Sequence, residues 1–196
     1  ALEISTTPQV LNNLGVSLYH QKEYIKASNY FKKAFANSNN ESKGQIYCAY
    51  AYSLANAKEI EKATEVFQEL INNYKEDEAL SIVELIGLAY LCKDYKYVAN
   101  YCWSALENFF IDAETFRIII HSFYLLGLKE EAEKFRDKVY ELNLDYEFLT
   151  DEEIKKYNVS NLDDIKDNVH TYYSNYIPSQ LFQCNYFGCK IHNHPF

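Results

Sequence analysis

Apolar residues return at helical spacing from the start of the chain. Leu11, Leu14 and Leu18 share one side of a helix beginning at Pro8 and running to about His20, and Ala27, Phe31 and Ala34 share one side of a second over roughly 24–37. Thr7-Pro8 is a start signal, because Thr caps free amides and Pro suits the first helical turn. Gln21-Lys22-Glu23 breaks the pattern between the two helices, and Asn37-Ser38-Asn39-Asn40 is a polar turn after them. Small Gly15 and Ala27 are expected where the two helices approach closely.

The same unit recurs. A second begins near Ser42, with Tyr47, Tyr50, Ala51 and Leu54 on its first helix and Ala63, Phe67 and Leu70 on its second. A third carries Ile86-Gly87 and Tyr90, then Val98, Cys102 and Ala105. A fourth carries Phe116, Ile119, Ile120 and Phe123, Gly127 in the turn, then Ala132, Phe135 and Val139, with Arg136 in the slot of Phe31. With Ala27, Ala63, Val98 and Ala132 taken as equivalent, the steps are 36, 35 and 34 residues. The shorter third unit leaves the alignment of Gly87 with Gly15 dependent on where the gap is placed.

A helix-turn-helix unit with a period of roughly 34 residues resembles the tetratricopeptide repeat family. The resemblance covers residues 8–145, as repeats over about 8–40, 42–75, 77–111 and 113–145, after a polar lead at 1–7. It implies an all-α fold, a superhelical array of antiparallel helix pairs. Asn39, Lys75, Ile111 and Leu144 stand where the family carries a Pro at the repeat end, and a plain helical bundle is the alternative architecture. Past residue 145, Thr150-Asp151-Glu152-Glu153 and Ser160-Asn161-Leu162-Asp163 open capped helices, so 146–177 reads as the segment closing the exposed end of the array.

Composition changes the picture at three points. A net charge of −9 disfavours a nucleic-acid partner, whose phosphates the average surface repels. No run of 18 apolar residues is present, and the start Ala1-Leu2-Glu3-Ile4-Ser5 lacks the zones of a signal peptide, so no membrane partner is expected. The start at Ala1 and the absence of Met read as a processed protein or a fragment. Cys48, Cys92 and Cys102 sit singly inside helical patterns and read as reduced core thiols, which points to the cytoplasm.

The resemblance implies that the first helix of each pair lines a concave, peptide-binding face. Its inward positions here are Asn12, Tyr19, Gln45, Tyr52, Asn56, Glu84, Arg117, His121 and Tyr124. Asn and Gln can pair with a peptide's amides, and Tyr supplies contact area at small entropy cost. The rival reading has Tyr19 and Tyr52 packed between neighbouring helices. The family's clamp for acidic chaperone C-termini is not retained, since its positions read Asn12, Val16, Ala49, Leu85 and Ile118. With the acidic net charge, a neutral or basic protein or peptide segment is the expected partner, and a homodimer is a further possibility for a repeat array.

Residues 178–196 form a tail in which Cys184, Cys189, His192 and His194 supply the sulfur and nitrogen ligands of a tetrahedral zinc site. A Cys184–Cys189 disulfide and an unliganded tail are the other readings. No phosphate-binding Gly-rich loop, Gly-x-Ser-x-Gly or His-Glu-x-x-His occurs, so a non-catalytic scaffold needing no cofactor is expected, with a zinc-regulated helical protein as the alternative.

Overall fold

The computed structural model describes residues 7–38, 43–74, 80–108 and 111–142. These hold eight helices and no strand: α1 Pro8–His20, α2 Tyr24–Asn37, α3 Lys43–Asn56, α4 Ile60–Asn73, α5 Ile82–Leu91, α6 Tyr95–Asn108, α7 Ala113–Leu125 and α8 Lys129–Glu141. The all-α expectation holds for them. Each helix packs on the next, and α3 packs also on α5 and α5 on α7.

One turn is built four times. Lys22, Lys58, Lys93 and Gly127 have φ of 62°, 67°, 62° and 73°, and they stand 36, 35 and 34 residues apart. In the first turn the Lys22 N–H donates to Tyr19 C=O at 2.8 Å and the Glu23 N–H to Leu18 C=O at 2.9 Å. The same two bonds recur from Lys58 and Glu59, from Lys93 and Asp94, and from Gly127 and Leu128. This is the Schellman closure of a helix, in which a left-handed residue lets two late carbonyls find donors. The residue after it then accepts the first bond of the next helix, from Ala27, Ala63, Val98 and Ala132. Those are the four positions whose spacing the sequence repeats.

Counted back from the turn residue, the Gly15 position falls on Ala51, Ile86 and Ile120, so Gly87 is one place off that register. The space above Gly15 is filled by the ring of Phe31, whose carbons would lie 2.7–2.9 Å from a Cβ there. Phe31, rather than Ala27, is therefore what the absence of a side chain at Gly15 admits.

The helix starts explain themselves locally. Thr7 Oγ1 accepts from Val10 N–H before α1, and Asp112 Oδ1 from Thr115 N–H before α7. Ser81 and Glu84 form a reciprocal capping box at α5. The core runs through all eight helices, from Leu11 and Phe31 through Phe67, Leu70 and Ile86 to Phe116, Ile119, Phe135 and Val139. Arg136 pairs with its neighbour Asp137, while buried Phe135 carries the packing in α8, with its ring 5.1 Å from that of Trp103 and 6.0 Å from that of Phe116. Leu14 is the exception to the expected apolar stripe, being 43% exposed. The proposed closing segment at 146–177 and the tail at 178–196 lie outside the described residues.

Candidate functional site

The first helices of the pairs, α1, α3, α5 and α7, carry all nine residues expected on a binding face. Five of these, Tyr19, Tyr52, Asn56, Glu84 and His121, are buried, four of them bonding a neighbouring first helix through the side chain and Glu84 through its main-chain carbonyl. Asn12, Gln45, Arg117 and Tyr124 are half-buried, so these four are the polar and aromatic groups a ligand can reach without displacing the core.

The buried five form links between consecutive first helices. Asn56 Nδ2 donates to Tyr19 Oη at 2.7 Å, joining α3 to α1, and also to Tyr52 C=O one turn back at 3.0 Å. Since a carbonyl only accepts, that second bond fixes which end of the Asn56 amide is nitrogen. Its Oδ1 is buried without a hydrogen-bond partner among the described residues. Tyr52 Oη donates to Glu84 C=O at 2.6 Å, joining α3 to α5. Tyr90 Oη and His121 Nδ1 share a hydrogen bond at 2.8 Å, joining α5 to α7.

Burial sets the protonation of this row. It raises the Tyr19 hydroxyl above its ordinary value, with the nearby Tyr24 adding to the effect. Burial likewise raises the Glu84 carboxyl, partly offset by the Ser81 amide that bonds it. Desolvation pushes His121 down to about 4, which keeps its ring neutral at physiological pH. The Glu84 carboxyl also caps its own helix, accepting from the Ser81 N–H.

Sequence reasoning missed Tyr90 as the partner of His121. A signal was present, because Tyr19, Tyr90 and Tyr124 share one place relative to the turn residue, with Ala55 in the second pair. It also placed Glu84 on the binding face without noting Ser81-x-x-Glu84 as a cap signature. Of the chaperone-clamp positions, Val16, Ala49, Leu85 and Ile118 are buried as well as apolar, so none can meet a carboxylate.

Cys48, Cys92 and Cys102 are free and buried. Burial raises Cys48 well above its ordinary value and takes Cys92 and Cys102 to about 12. Thiols held in that form at neutral pH are poor nucleophiles and poor metal ligands. No group of three His, Cys, Asp or Glu able to hold a metal occurs among the described residues, and Cys184, Cys189, His192 and His194 lie outside them. No described helix is long and apolar enough to cross a membrane.

A second aromatic group gathers where α2, α3 and α4 meet. The Phe35 and Tyr47 rings stack at 4.3 Å, Tyr74 stands edge-on to both, and the Tyr47 hydroxyl donates to the Glu69 carboxylate. These rings pack on one another and serve cohesion between the first two pairs.

No known protein family matches this chain, and no curated protein or solved structure does either.

Proposed function

We propose that the chain is a non-catalytic interaction scaffold: a superhelical array of tetratricopeptide-like helix pairs that holds a protein or peptide segment along its first helices. The observation that carries this reading is the fourfold turn at Lys22, Lys58, Lys93 and Gly127. A chain that repeats one closure at nearly constant spacing stacks like units side by side, and stacked units present a long continuous surface. On that surface Asn12, Gln45, Arg117 and Tyr124 supply a mixture of donors, acceptors and an aromatic face suited to an extended segment. The net charge of −9 selects for a neutral or basic segment over an acidic one.

Selection from a displayed random-peptide library tests the reading. Neutral or basic sequences are expected to be enriched, and Gln45→Ala or Tyr124→Ala to weaken binding of a selected peptide about tenfold, roughly 1.4 kcal/mol. Lys32→Ala and Glu65→Ala, exposed on second helices, leave binding unchanged. Peptides lost through the second-helix changes and indifferent to the first-helix ones would overturn it.

The cluster Cys184, Cys189, His192 and His194 favours a second reading, in which zinc orders the tail and so controls access to the array.

A further inference from the structure

The exposure of Leu14 departs from the rule the rest of the chain obeys. At its place in the third and fourth pairs stand Leu85 and Ile119, 3% and 0% exposed, and in the second the half-buried Tyr50. Leu18 corresponds to Leu54, Ala89 and Phe123, all buried, and half-buried Val10 to the buried Ile46 and Thr115 and the half-buried Ser81. Helices α3, α5 and α7 each pack on the helix before them, whereas α1 has no preceding helix among the described residues. Val10, Leu14 and Leu18, spaced four apart, therefore form an apolar stripe of the kind that the other pairs cover.

Charge indicates what covers it here. Helix α1 is the only one of the eight without an Asp, Glu, Lys or Arg, in a chain whose net charge is −9. Copies of such a chain repel one another on average, and they meet at least cost where neither side is charged. The far end of the described array offers a poor match, since nine of the thirteen residues of α8 are charged. A stripe meeting its own copy matches neutral to neutral and closes with two-fold symmetry.

We propose that α1 is a self-association surface, on which the Val10, Leu14 and Leu18 stripe of one chain packs against the same stripe of a second chain. Leu14 is the middle of the stripe, so in an antiparallel crossing it meets Leu14 of the other copy. A thirteen-residue helix is only about 20 Å long. It supplies part of the roughly 800 Å² per partner of a standard interface, so the dimer dissociates on dilution.

Sedimentation velocity over a dilution series reads this directly. The wild-type chain is expected at twice its 23.0 kDa mass when concentrated and at 23.0 kDa when dilute. Leu14→Glu and Leu14→Lys each shift the midpoint at least tenfold towards higher concentration, with unchanged far-ultraviolet circular dichroism. An equimolar mixture of the two variants restores the doubled mass, because opposite charges then face each other across the two-fold axis. A wild-type chain that stays monomeric at every concentration overturns the proposal. So does a dimer indifferent to Leu14→Glu, a mixture that does not recover, or a mass that keeps growing as copies stack end to end.

Discussion

Gly15→Ala sets two opposing effects against each other at one atom. Ala favours a helix interior over Gly by about 1 kcal/mol, so at an open position the change stabilises. At Gly15 the new Cβ would lie 2.7, 2.8 and 2.9 Å from three carbons of the Phe31 ring, where ordinary carbon contacts lie at about 3.5–4.0 Å. The ring must retreat by roughly 0.7–1 Å, and it has no solvent side to move into, because Phe31 is 0% exposed between Ala27 and Ala34 in the α1–α2 core. Overpacking of a closed site costs about 1–3 kcal/mol, which outweighs the propensity gain. The expected net result is a loss of about 1 kcal/mol in urea unfolding followed by circular dichroism. In a Phe31→Leu background the same substitution becomes neutral or stabilising, with a coupling of about 1–2 kcal/mol between the two sites. A Gly15→Ala chain more stable than the parent by about 1 kcal/mol refutes the close approach of α1 to the Phe31 ring.

Other consequences follow from single atoms. His121 is pushed down from 6.5 to about 4 in the folded chain, so the unfolded chain binds the extra proton first as pH falls; folding stability is complete above about 6.5 and declines towards about 4, by about 3 kcal/mol. His121→Gln removes that slope in pH-dependent urea melts, and an unaltered slope would count against a neutral, buried ring. At Gly127, with φ +73° and nothing within 4 Å of an added Cβ, Ala costs about 1 kcal/mol of backbone strain alone, whereas Lys58→Gly, at φ 67°, stabilises by a comparable or smaller amount; thermal shifts of opposite sign, a few degrees down for Gly127→Ala and no more than that up for Lys58→Gly, check this. On the second, zinc-regulated reading, native mass spectrometry with excess zinc finds one ion per chain, lost in the Cys184→Ser, Cys189→Ser variant; a metal-free wild-type chain leaves the plain scaffold reading, and retention of the ion in the variant excludes the tail as its site.

Helix boundaries were legible because their chemistry is local. Thr7-Pro8 and the break at Gln21-Lys22-Glu23 delimit α1, which runs from Pro8 to His20 as the pattern predicts. The repeat spacing was legible for the same reason, through the small or branched residue that opens each second helix. The left-handed turn residues were not, save Gly127. Nothing in a Lys side chain announces positive φ, and the conformation at Lys22, Lys58 and Lys93 is imposed by the two carbonyls that need donors. Nor could periodicity show which of the inward residues become buried. Leu11 and Leu14 look alike in sequence, and what separates the buried one from the exposed one is that Leu11 faces α2 and the core while no helix precedes α1 among the described residues.

The buried row on the first helices bears on binding through geometry. Apolar packing alone lets neighbouring helices slide, since dispersion and area burial have little directional preference. A hydrogen bond of 2.6–2.8 Å does not tolerate such sliding, and one such bond crosses each gap: Tyr19 with Asn56, Tyr52 with the Glu84 carbonyl, Tyr90 with His121. A slip of one helix past another would leave a buried hydroxyl or amide unpaired at about 1–3 kcal/mol each. The row therefore fixes the register in which Asn12, Gln45, Arg117 and Tyr124 are displayed. A surface held in register before its ligand arrives loses less freedom on binding, and this is the condition under which a few half-buried polar groups can select one segment over another. Several of the residues that looked most like ligand contacts in sequence thus serve from behind the surface, and in the scaffold reading proposed above the half-buried four are the ones that meet the partner.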